Sequence, residues 1–335
     1  MKWFKELSGC LPVGFSVEGD LRYAMNDYGD LLLVEPQDGT IDAIAEQVCP
    51  FCRYMSVHHS SDIGTIIEMI GLYRHWTVFN PDSRNVMRIC RMEELAGGQI
   101  AACTVCSAGL LTIVTYPDQR PTDLMLSRDG VHFSKVLSLQ FRYKPSDSGL
   151  AVLNGSELVA CIYGESGREV VLMDLATSRL VQTLIGHELW VDACSFVPEY
   201  HLLVTGGQDQ TLRFWRIPSG QLIHTVKEVG QVKQIEWSSH YNILLVLTSS
   251  PTSKTMKVLE YEVPINESLL WTWKLDGSRP EVTTCGSWDQ HRAQRFAFAP
   301  QQNYIVTGQY PGKDERISGA EGTLRFWRIE DLLPR

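Results

Sequence analysis

A heptapeptide that occurs twice, unchanged, constrains the fold of this 335-residue chain more than any other feature of its sequence. It reads Thr-Leu-Arg-Phe-Trp-Arg-Ile and occupies residues 211–217 and 323–329. In both copies it follows an apolar run that ends in Thr-Gly, at residues 202–206 and 304–308, and each run follows an aromatic segment that ends in proline. Three matched blocks in the same order indicate a duplicated structural unit.

The better copy of this unit predicts four short β-strands. Apolar runs occupy residues 191–196, 202–205, 211–217 and 221–226, and turns rich in Pro, Gly, Ser and Asp separate them. Four antiparallel strands in about 40 residues make one blade of a β-propeller. Seven blades of about 48 residues would use the whole chain. The sequence therefore predicts an all-β, seven-bladed propeller forming a single domain over residues 1–335, with six or eight blades as alternatives.

Neighbouring segments extend this pattern with less regularity. Residues 31–34, 76–79 and 110–115 each resemble the third strand of a blade. Because the last unit ends at Ile329, we expect an N-terminal strand to complete the final sheet, and we interpret residues 309–320 as an exposed loop. The flanking blades are predicted at residues 137–141, 157–163, 170–175 and 179–184 upstream, and at residues 232–237, 243–248, 256–262 and 269–274 downstream.

Four side chains of the better unit have the chemistry of a buried hydrogen-bond relay. They are His187, Thr205, Asp209 and Trp215. An indole N–H needs an acceptor, a hydroxyl and an imidazole can each donate and accept, and a carboxylate in a turn can anchor the end of the series. With Gly186 before the histidine, and Arg following Trp215 where Asp is usual, the segment resembles a WD repeat. The resemblance implies that these four residues form the structural tetrad of that family.

Two Cys-x-x-Cys pairs raise the question of a metal site. Cys49 pairs with Cys52, and Cys103 with Cys106, and four thiolates could bind zinc. However, about 50 residues separate the two pairs, against roughly 15–20 in a zinc ribbon. The second pair also lies in an apolar, strand-like run. We therefore expect free, buried or half-buried thiols and no metal, with a four-thiolate zinc site as the alternative.

Composition and missing motifs exclude several classes of function. A net charge of -9 disfavours independent binding of nucleic acid, because an acidic surface repels phosphates. The sequence has no apolar run of about 18 residues and no signal-peptide core, and its nine cysteines suit a reducing compartment. We expect an intracellular protein of the nucleus or cytoplasm, with no membrane contact. Without a phosphate loop, nucleophile elbow or kinase signature, we predict no catalysis and no cofactor.

A rigid propeller suits the docking of other proteins, so we predict a scaffold that binds and stabilises a partner. Residues 184–224 are similar to one blade of the non-catalytic WD subunit of tRNA (guanine-N7) methyltransferase. That resemblance implies a catalytic methyltransferase as the partner and contact with tRNA only through the complex, hence a role in tRNA processing. The alternative is a general WD adaptor, such as a ubiquitin-ligase substrate receptor or a subunit of a chromatin or transport complex.

Three residues are candidates for binding the partner. The methyltransferase subunits carry a charged run before this blade, and Arg168 and Glu169 are the nearest equivalents here, although the run itself differs. Trp190 follows the relay histidine in a loop that the WD resemblance places at one face of the disc. An exposed tryptophan is a frequent binding anchor, which makes Trp190 a candidate, although partly buried packing is the role that its loop position favours.

Overall fold

In the computed structural model, nearly all of the regular secondary structure among the described residues is β-strand. The structure describes residues 5–8, 23–25, 29–35, 40–49, 52–60, 64–71, 75–91, 95, 98–106, 108–116, 120–128, 132–140, 149–153, 156–258, 261–276, 279–283, 295–299, 303–309 and 323–331. No helix within these ranges has the length and apolar character needed to cross a membrane.

The described ranges contain 27 strands. In chain order they are β1 (Lys5–Ser8), β2 (Tyr23–Met25), β3 (Leu31–Val34), β4 (Ile41–Ala45), β5 (Cys52–Ser60), β6 (Gly64–Gly71), β7 (His75–Asn80), β8 (Asn85–Arg91), β9 (Gln99–Cys106), β10 (Gly109–Thr115), β11 (Asp123–Ser127), β12 (Ser134–Ser138), β13 (Leu150–Val152), β14 (Leu158–Tyr163), β15 (Glu169–Asp174), β16 (Arg179–Leu184), β17 (Val191–Val197), β18 (Leu202–Gly207), β19 (Leu212–Arg216), β20 (Gln221–Val226), β21 (Gln231–Ser238), β22 (Ile243–Val258), β23 (Tyr261–Asp276), β24 (Arg279–Thr283), β25 (Arg295–Ala299), β26 (Tyr304–Gln309) and β27 (Thr323–Arg328).

These strands form seven antiparallel sheets; six are built from consecutive segments of the chain, and the last combines β25, β26 and β27 with β1. Six sheets have four described strands, and the sheet of β2, β3 and β4 has three. The first strands of neighbouring sheets contact one another, as β9 does with β13, β13 with β17 and β17 with β21. The sheets therefore stand as blades around an axis, with the first strand of each innermost. This is a β-propeller, as the sequence predicted.

The last sheet joins the two ends of the chain. Strand β1 pairs with β27 in antiparallel register from Lys5 opposite Phe326 to Ser8 opposite Thr323. The order of this closing sheet is β1-β27-β26-β25. The predicted N-terminal strand is confirmed, and it covers an edge of β27 that would otherwise be exposed.

Apolar clusters between neighbouring sheets hold the blades together. One cluster joins the sheet β17–β20 to the sheet β21–β24 and includes Val204, Phe214, Val232 and Val246, all essentially buried. A buried apolar side chain of this size stabilises the fold by about 1.5–3 kcal/mol. The core is thus spread around the ring as a series of interfaces.

Two of the predicted strands before residue 157 were assigned wrongly. Residues 137–141 do not begin the blade upstream of the WD-like unit: residues 134–138 form β12, the outer strand of the preceding sheet, and Leu150–Val152 is the first strand of that blade. Residues 110–115 lie in β10, a second strand and not a third. Every half-buried strand has similar apolar alternation, so periodicity alone does not reveal its place in the sheet. Residues 76–79 do lie in a third strand, β7, and residues 31–34 form β3 between two neighbours.

The downstream blade has a much longer central hairpin than predicted. Residues 256–262 and 269–274 are not separate third and fourth strands, because β22 and β23 pair along 16 residues each and β24 is the fourth strand. Strand β21 pairs with β22 only as far as Ser249, and β24 pairs with β23 only from Thr272. Residues 250–258 and 261–268 therefore continue beyond the sheet as a two-stranded segment, called here the ribbon. The predicted exposed loop at 309–320 lies outside the described residues apart from Gln309, which ends β26.

Five outer strands carry a one-residue β-bulge. The pairing of β4, β8, β12, β16 and β20 with their inner neighbours skips one residue in each case. A bulge twists and interrupts the strand, which makes its open side a poor template for further pairing. The skipped residues are Ile44, Met87, Val136, Val181 and Ile223.

Candidate functional site

The four residues of the expected tetrad lie together in one hydrogen-bond relay. Trp215 Nε1 donates to Thr205 Oγ1 over 2.8 Å, and the same oxygen lies 2.8 Å from His187 Nε2. His187 Nδ1 lies 2.8 Å from Asp209 Oδ2. If His187 carries its proton on Nδ1, this N–H donates to Asp209 and Nε2 accepts the hydroxyl proton of Thr205. Every hydrogen bond of the relay then runs in one direction, from the indole of Trp215 to the carboxylate of Asp209.

The relay ties the entrance of the blade to its two middle strands. Thr205 lies on β18 and Trp215 on β19, while Asp209 occupies the turn between them. His187 lies in the connection from β16, which belongs to the preceding blade. The bonds therefore fix this connection against the blade that follows it.

Asp209 is the most heavily bonded member of the relay. Besides the histidine, it accepts hydrogen bonds from the backbone N–H of Glu188 (3.1 Å) and from the N–H and hydroxyl of Thr211 (3.1 and 2.8 Å). Burial alone would raise the pKa of Asp209, but the bond and charge of His187, with the bonds from Glu188 and Thr211, lower this pKa to about 2. The carboxylate is therefore ionised at neutral pH.

Above the relay, residues 185–190 form an exposed apolar surface, called here the Trp190 loop. The side chains of Ile185, Leu189 and Trp190 are 72%, 47% and 41% exposed, whereas His187 between them is buried. Exposed apolar side chains this close together favour a binding surface. Sequence reasoning identified Trp190 but missed Ile185 and Leu189, although both flank the Gly-His pair within a segment already assigned to a loop.

The backbone of the Trp190 loop is held by its neighbours on both sides. The N–H of Gln208 donates to the carbonyl oxygen of Trp190 over 2.8 Å, and the N–H of Val191 donates to that of Gly167 over 2.9 Å. A Cβ atom on Gly207 would lie 2.0 Å from the Trp190 oxygen, so this close approach requires glycine. The apolar surface is therefore presented by an ordered segment, which lowers the entropy cost of binding.

The other two partner-binding candidates lie on the same face. Arg168 is exposed in the turn between β14 and β15, and Glu169 begins β15 with a half-buried side chain. This turn contains Gly167, which accepts the bond from Val191 at the end of the Trp190 loop. The structure thus brings Arg168, Glu169 and Trp190 to one end of two adjacent blades.

Part of the relay is repeated in the closing sheet. Trp327 Nε1 donates to Thr307 Oγ1 over 2.9 Å, matching the bond between Trp215 and Thr205. The position of Glu321, which takes the place of the relay aspartate in the sequence, lies outside the described residues. The duplicated heptapeptide therefore places an equivalent indole–hydroxyl bond in two blades.

The cysteine pairs do not converge in the described part of the chain. Cys49 is buried in a cluster with Met25 and Met55, whereas Cys103 packs against a different cluster. Cys106 Sγ donates to the carbonyl oxygen of Gly109 over 3.2 Å, and burial raises the pKa of this thiol, which disfavours the thiolate form. Cys52 lies in β5, and its side chain is outside the described set. Within that set, no three His, Cys, Asp or Glu side chains are arranged to bind a metal ion.

Comparison with known proteins identifies the blade that carries the relay. Residues 178–216 match the family model described as "WD domain, G-beta repeat". This segment is therefore similar to a WD repeat. The match covers the Trp190 loop and all four relay residues, so the matched segment and the candidate site coincide.

Similarity to curated proteins extends over nearly half of the chain. The anaphase-promoting complex subunit cdc20 of Dictyostelium discoideum is 30% identical over 148 residues, 42% of this chain and 23% of that protein. Eukaryotic translation initiation factor 3 subunit I of Phaeosphaeria nodorum is 28% identical over 152 residues, 45% of this chain and 43% of that protein. The chain thus covers less than half the length of these curated relatives.

A solved structure resembles nearly the whole chain. One chain in the crystal structure of the mitotic checkpoint complex superposes with a TM-score of 0.67, covering 98% of this chain and 95% of its own length. At 17% sequence identity, this likeness supports the propeller fold alone.

Proposed function

We propose that this chain is a non-catalytic WD-repeat scaffold, a single propeller domain, that binds a partner protein through the face carrying the Trp190 loop. The observation that carries the proposal is the group of three exposed apolar side chains, Ile185, Leu189 and Trp190, on an ordered loop. Covering their exposed parts would contribute about 3 kcal/mol to binding. WD-repeat relatives that are named as subunits of larger assemblies also favour this role.

The ribbon lies close enough to this face to take part in binding. The N–H of Val229 donates to the carbonyl oxygen of Gln210, in the turn next to the Trp190 loop, and a Cβ on Gly230 would lie 2.4 Å from Ser250 Oγ. The ribbon begins at Ser250 and leaves the sheet on the side of this turn. A partner seated on the Trp190 loop would therefore lie next to the ribbon.

The test is co-purification of partners with the Trp190→Ala variant from the native host. We expect the yield of the main partner to fall about tenfold or more while the thermal midpoint stays unchanged, as for a binding anchor. Met87→Ala is the matched control, because Met87 is 49% exposed on the rim of another blade. Equal recovery with both variants would refute the proposed surface.

The more specific role of this scaffold is the non-catalytic subunit of a tRNA (guanine-N7) methyltransferase. It is supported by the similarity of residues 184–224 and by the exposure of Arg168 near the Trp190 loop. A catalytic methyltransferase would then be the partner, and tRNA would be contacted only through the complex. Replacing Arg168 and Glu169 with Ala should reduce co-purification of a methyltransferase and leave folding intact. Recovery of a different assembly, such as a ubiquitin ligase or a transport complex, would favour the general adaptor.

The same proposal assigns the protein to the nucleus or cytoplasm and requires no membrane and no cofactor. It rests on the lack of catalytic motifs in the sequence and on the WD-repeat similarity. Imaging of the full chain fused to a fluorescent protein tests the location, and accumulation in a secretory compartment would contradict it.

A further inference from the structure

A second polar series crosses three consecutive sheets on the face opposite the Trp190 loop. The Tyr200 hydroxyl donates to Asn242 Oδ1 over 2.9 Å, which links the sheet β17–β20 to the sheet β21–β24. The Tyr241 hydroxyl donates to Asn303 Oδ1 over 2.7 Å, which links the sheet β21–β24 to the closing sheet. Asn303 Nδ2 then donates to Glu330 Oε1 over 2.7 Å, just after β27.

The geometry of one kind of turn builds this series. Each participating residue lies in the turn between the first and second strands of its sheet, except Glu330. Asn242 and Asn303 have φ values of 53° and 56°, in the left-handed region that asparagine tolerates better than most residues. Because Tyr241 directly precedes Asn242, the turn between β21 and β22 accepts a hydrogen bond from Tyr200 in one neighbouring sheet and donates one to Asn303 in the other.

A second contact links the sheet β21–β24 to the closing sheet near the axis. Gln234 Nε2 donates to the carbonyl oxygen of Phe296 over 2.7 Å, and the N–H of Phe296 donates to Gln234 Oε1 over 3.0 Å. The side-chain amide thus pairs with the backbone of β25 as a neighbouring strand would. Two separate polar contacts therefore cross this one seam, in addition to an apolar cluster that includes Leu245 and Ile305.

We propose that the tyrosine–asparagine series is a strap that holds the closing sheet in the ring. The closing sheet needs such support because the strand that joins it to the N-terminus, β1, pairs over only four residues. The strap fastens the opposite side of that sheet through Asn303, whose backbone oxygen also accepts the N–H of Ile329. Opening of the seam between the two sheets requires the bond from Tyr241 to break.

Hydrogen exchange of the full-length protein, followed by mass spectrometry of the peptide that contains β26, tests the strap. The Tyr241→Phe variant should raise the exchange rate of β26 about fivefold, the effect of one lost hydrogen bond. Tyr163→Phe is the matched control, because Tyr163 is half-buried and its hydroxyl makes no hydrogen bond within the described residues. An exchange rate for Tyr241→Phe equal to that of the control would overturn the proposal.

A second variant separates the strap from a general loss of stability. Asn303→Gly keeps the left-handed backbone accessible and removes both side-chain bonds, so its exchange in β26 should rise more than that of Tyr241→Phe. Because either change removes the same bond, the double variant should exchange only as fast as Asn303→Gly alone. Exchange equal to the product of the two single effects would show that the residues act independently and that the strap does not exist.

Discussion

Replacement of Asp209 by alanine should destabilise the propeller more than any comparable change in an exposed turn. The carboxylate accepts bonds from His187, from the backbone of Glu188 and from two donors of Thr211. Its side chain is only 4% exposed, so water cannot readily replace the carboxylate. With about 1 kcal/mol for each bond, and partial rearrangement of the turn, we expect a loss of about 3 kcal/mol.

The pH dependence of stability gives an independent measure of the same group. The pKa of Asp209 is lowered from 3.8 to about 2 in the folded chain, and this difference corresponds to about 2 kcal/mol. Because the folded pKa is the lower one, this stabilisation is fully present above about pH 4. It is lost as the pH falls from about 4 to about 2, since the unfolded chain binds the proton first.

Urea denaturation of wild type, Asp209→Ala and Asp209→Asn between pH 7 and pH 2 measures both effects. The free-energy difference between wild type and Asp209→Asn should shrink by about 2 kcal/mol as the pH falls through this window. Asp174→Ala serves as the control, because Asp174 accepts one turn bond from Thr177 at 3.0 Å and should lose about 1 kcal/mol or less. If Asp209→Ala costs no more than this control, the relay does not stabilise the blade and the argument fails.

Two further predictions concern ring closure and the ribbon. Removing residues 1–8 takes away β1 and exposes the edge of β27, so the free energy of unfolding should fall by at least about 3 kcal/mol and light scattering should show association. An unchanged free energy of unfolding would show that β1 does not support the closing sheet. In a second variant, an Asn-Gly turn joins Pro251 directly to Asn266 and so removes most of the ribbon. Its thermal midpoint should stay within about 3 °C of wild type, because the ribbon lies beyond the residues that pair with β21 and β24. Recovery of the partner with this variant should fall. A large fall in the midpoint would show that the ribbon supports the sheet.

The sequence predicted the parts of the structure that depend on local chemistry. The relay could be predicted because the 28-residue spacing from His187 to Trp215 fits two strands and their turns. The Thr-Gly and Trp motifs also recur in the last sheet. The pairing of β1 with β27 also followed from the sequence, since a repeat with three strands needs a fourth to complete its sheet. Both features can be recognised in the sequence of a single repeat.

Other features depend on contacts that no local pattern encodes. Residues 137–141 indicate the first strand of the upstream blade, because a short apolar run does not reveal whether its strand is outer or inner. Residues 256–262 and 269–274 indicate separate third and fourth strands, whereas β22 and β23 pair as one long hairpin whose register shifts after Pro251. The bond between Tyr241 and Asn303 joins residues 62 positions apart, and both residue types are common in ordinary turns.

The bulges at Ile44, Met87, Val136, Val181 and Ile223 disfavour pairing between the outer strands of two copies of this chain. A regular strand at each blade tip would offer a row of amides and carbonyls to the next molecule, and discs could then add edge to edge without limit. The outer strand β24 has no bulge but contains Pro280, which lacks an amide hydrogen to donate. Among the seven described blade tips, only that of the closing sheet, β1, lacks both a bulge and a proline, so lateral pairing is disfavoured at the other six.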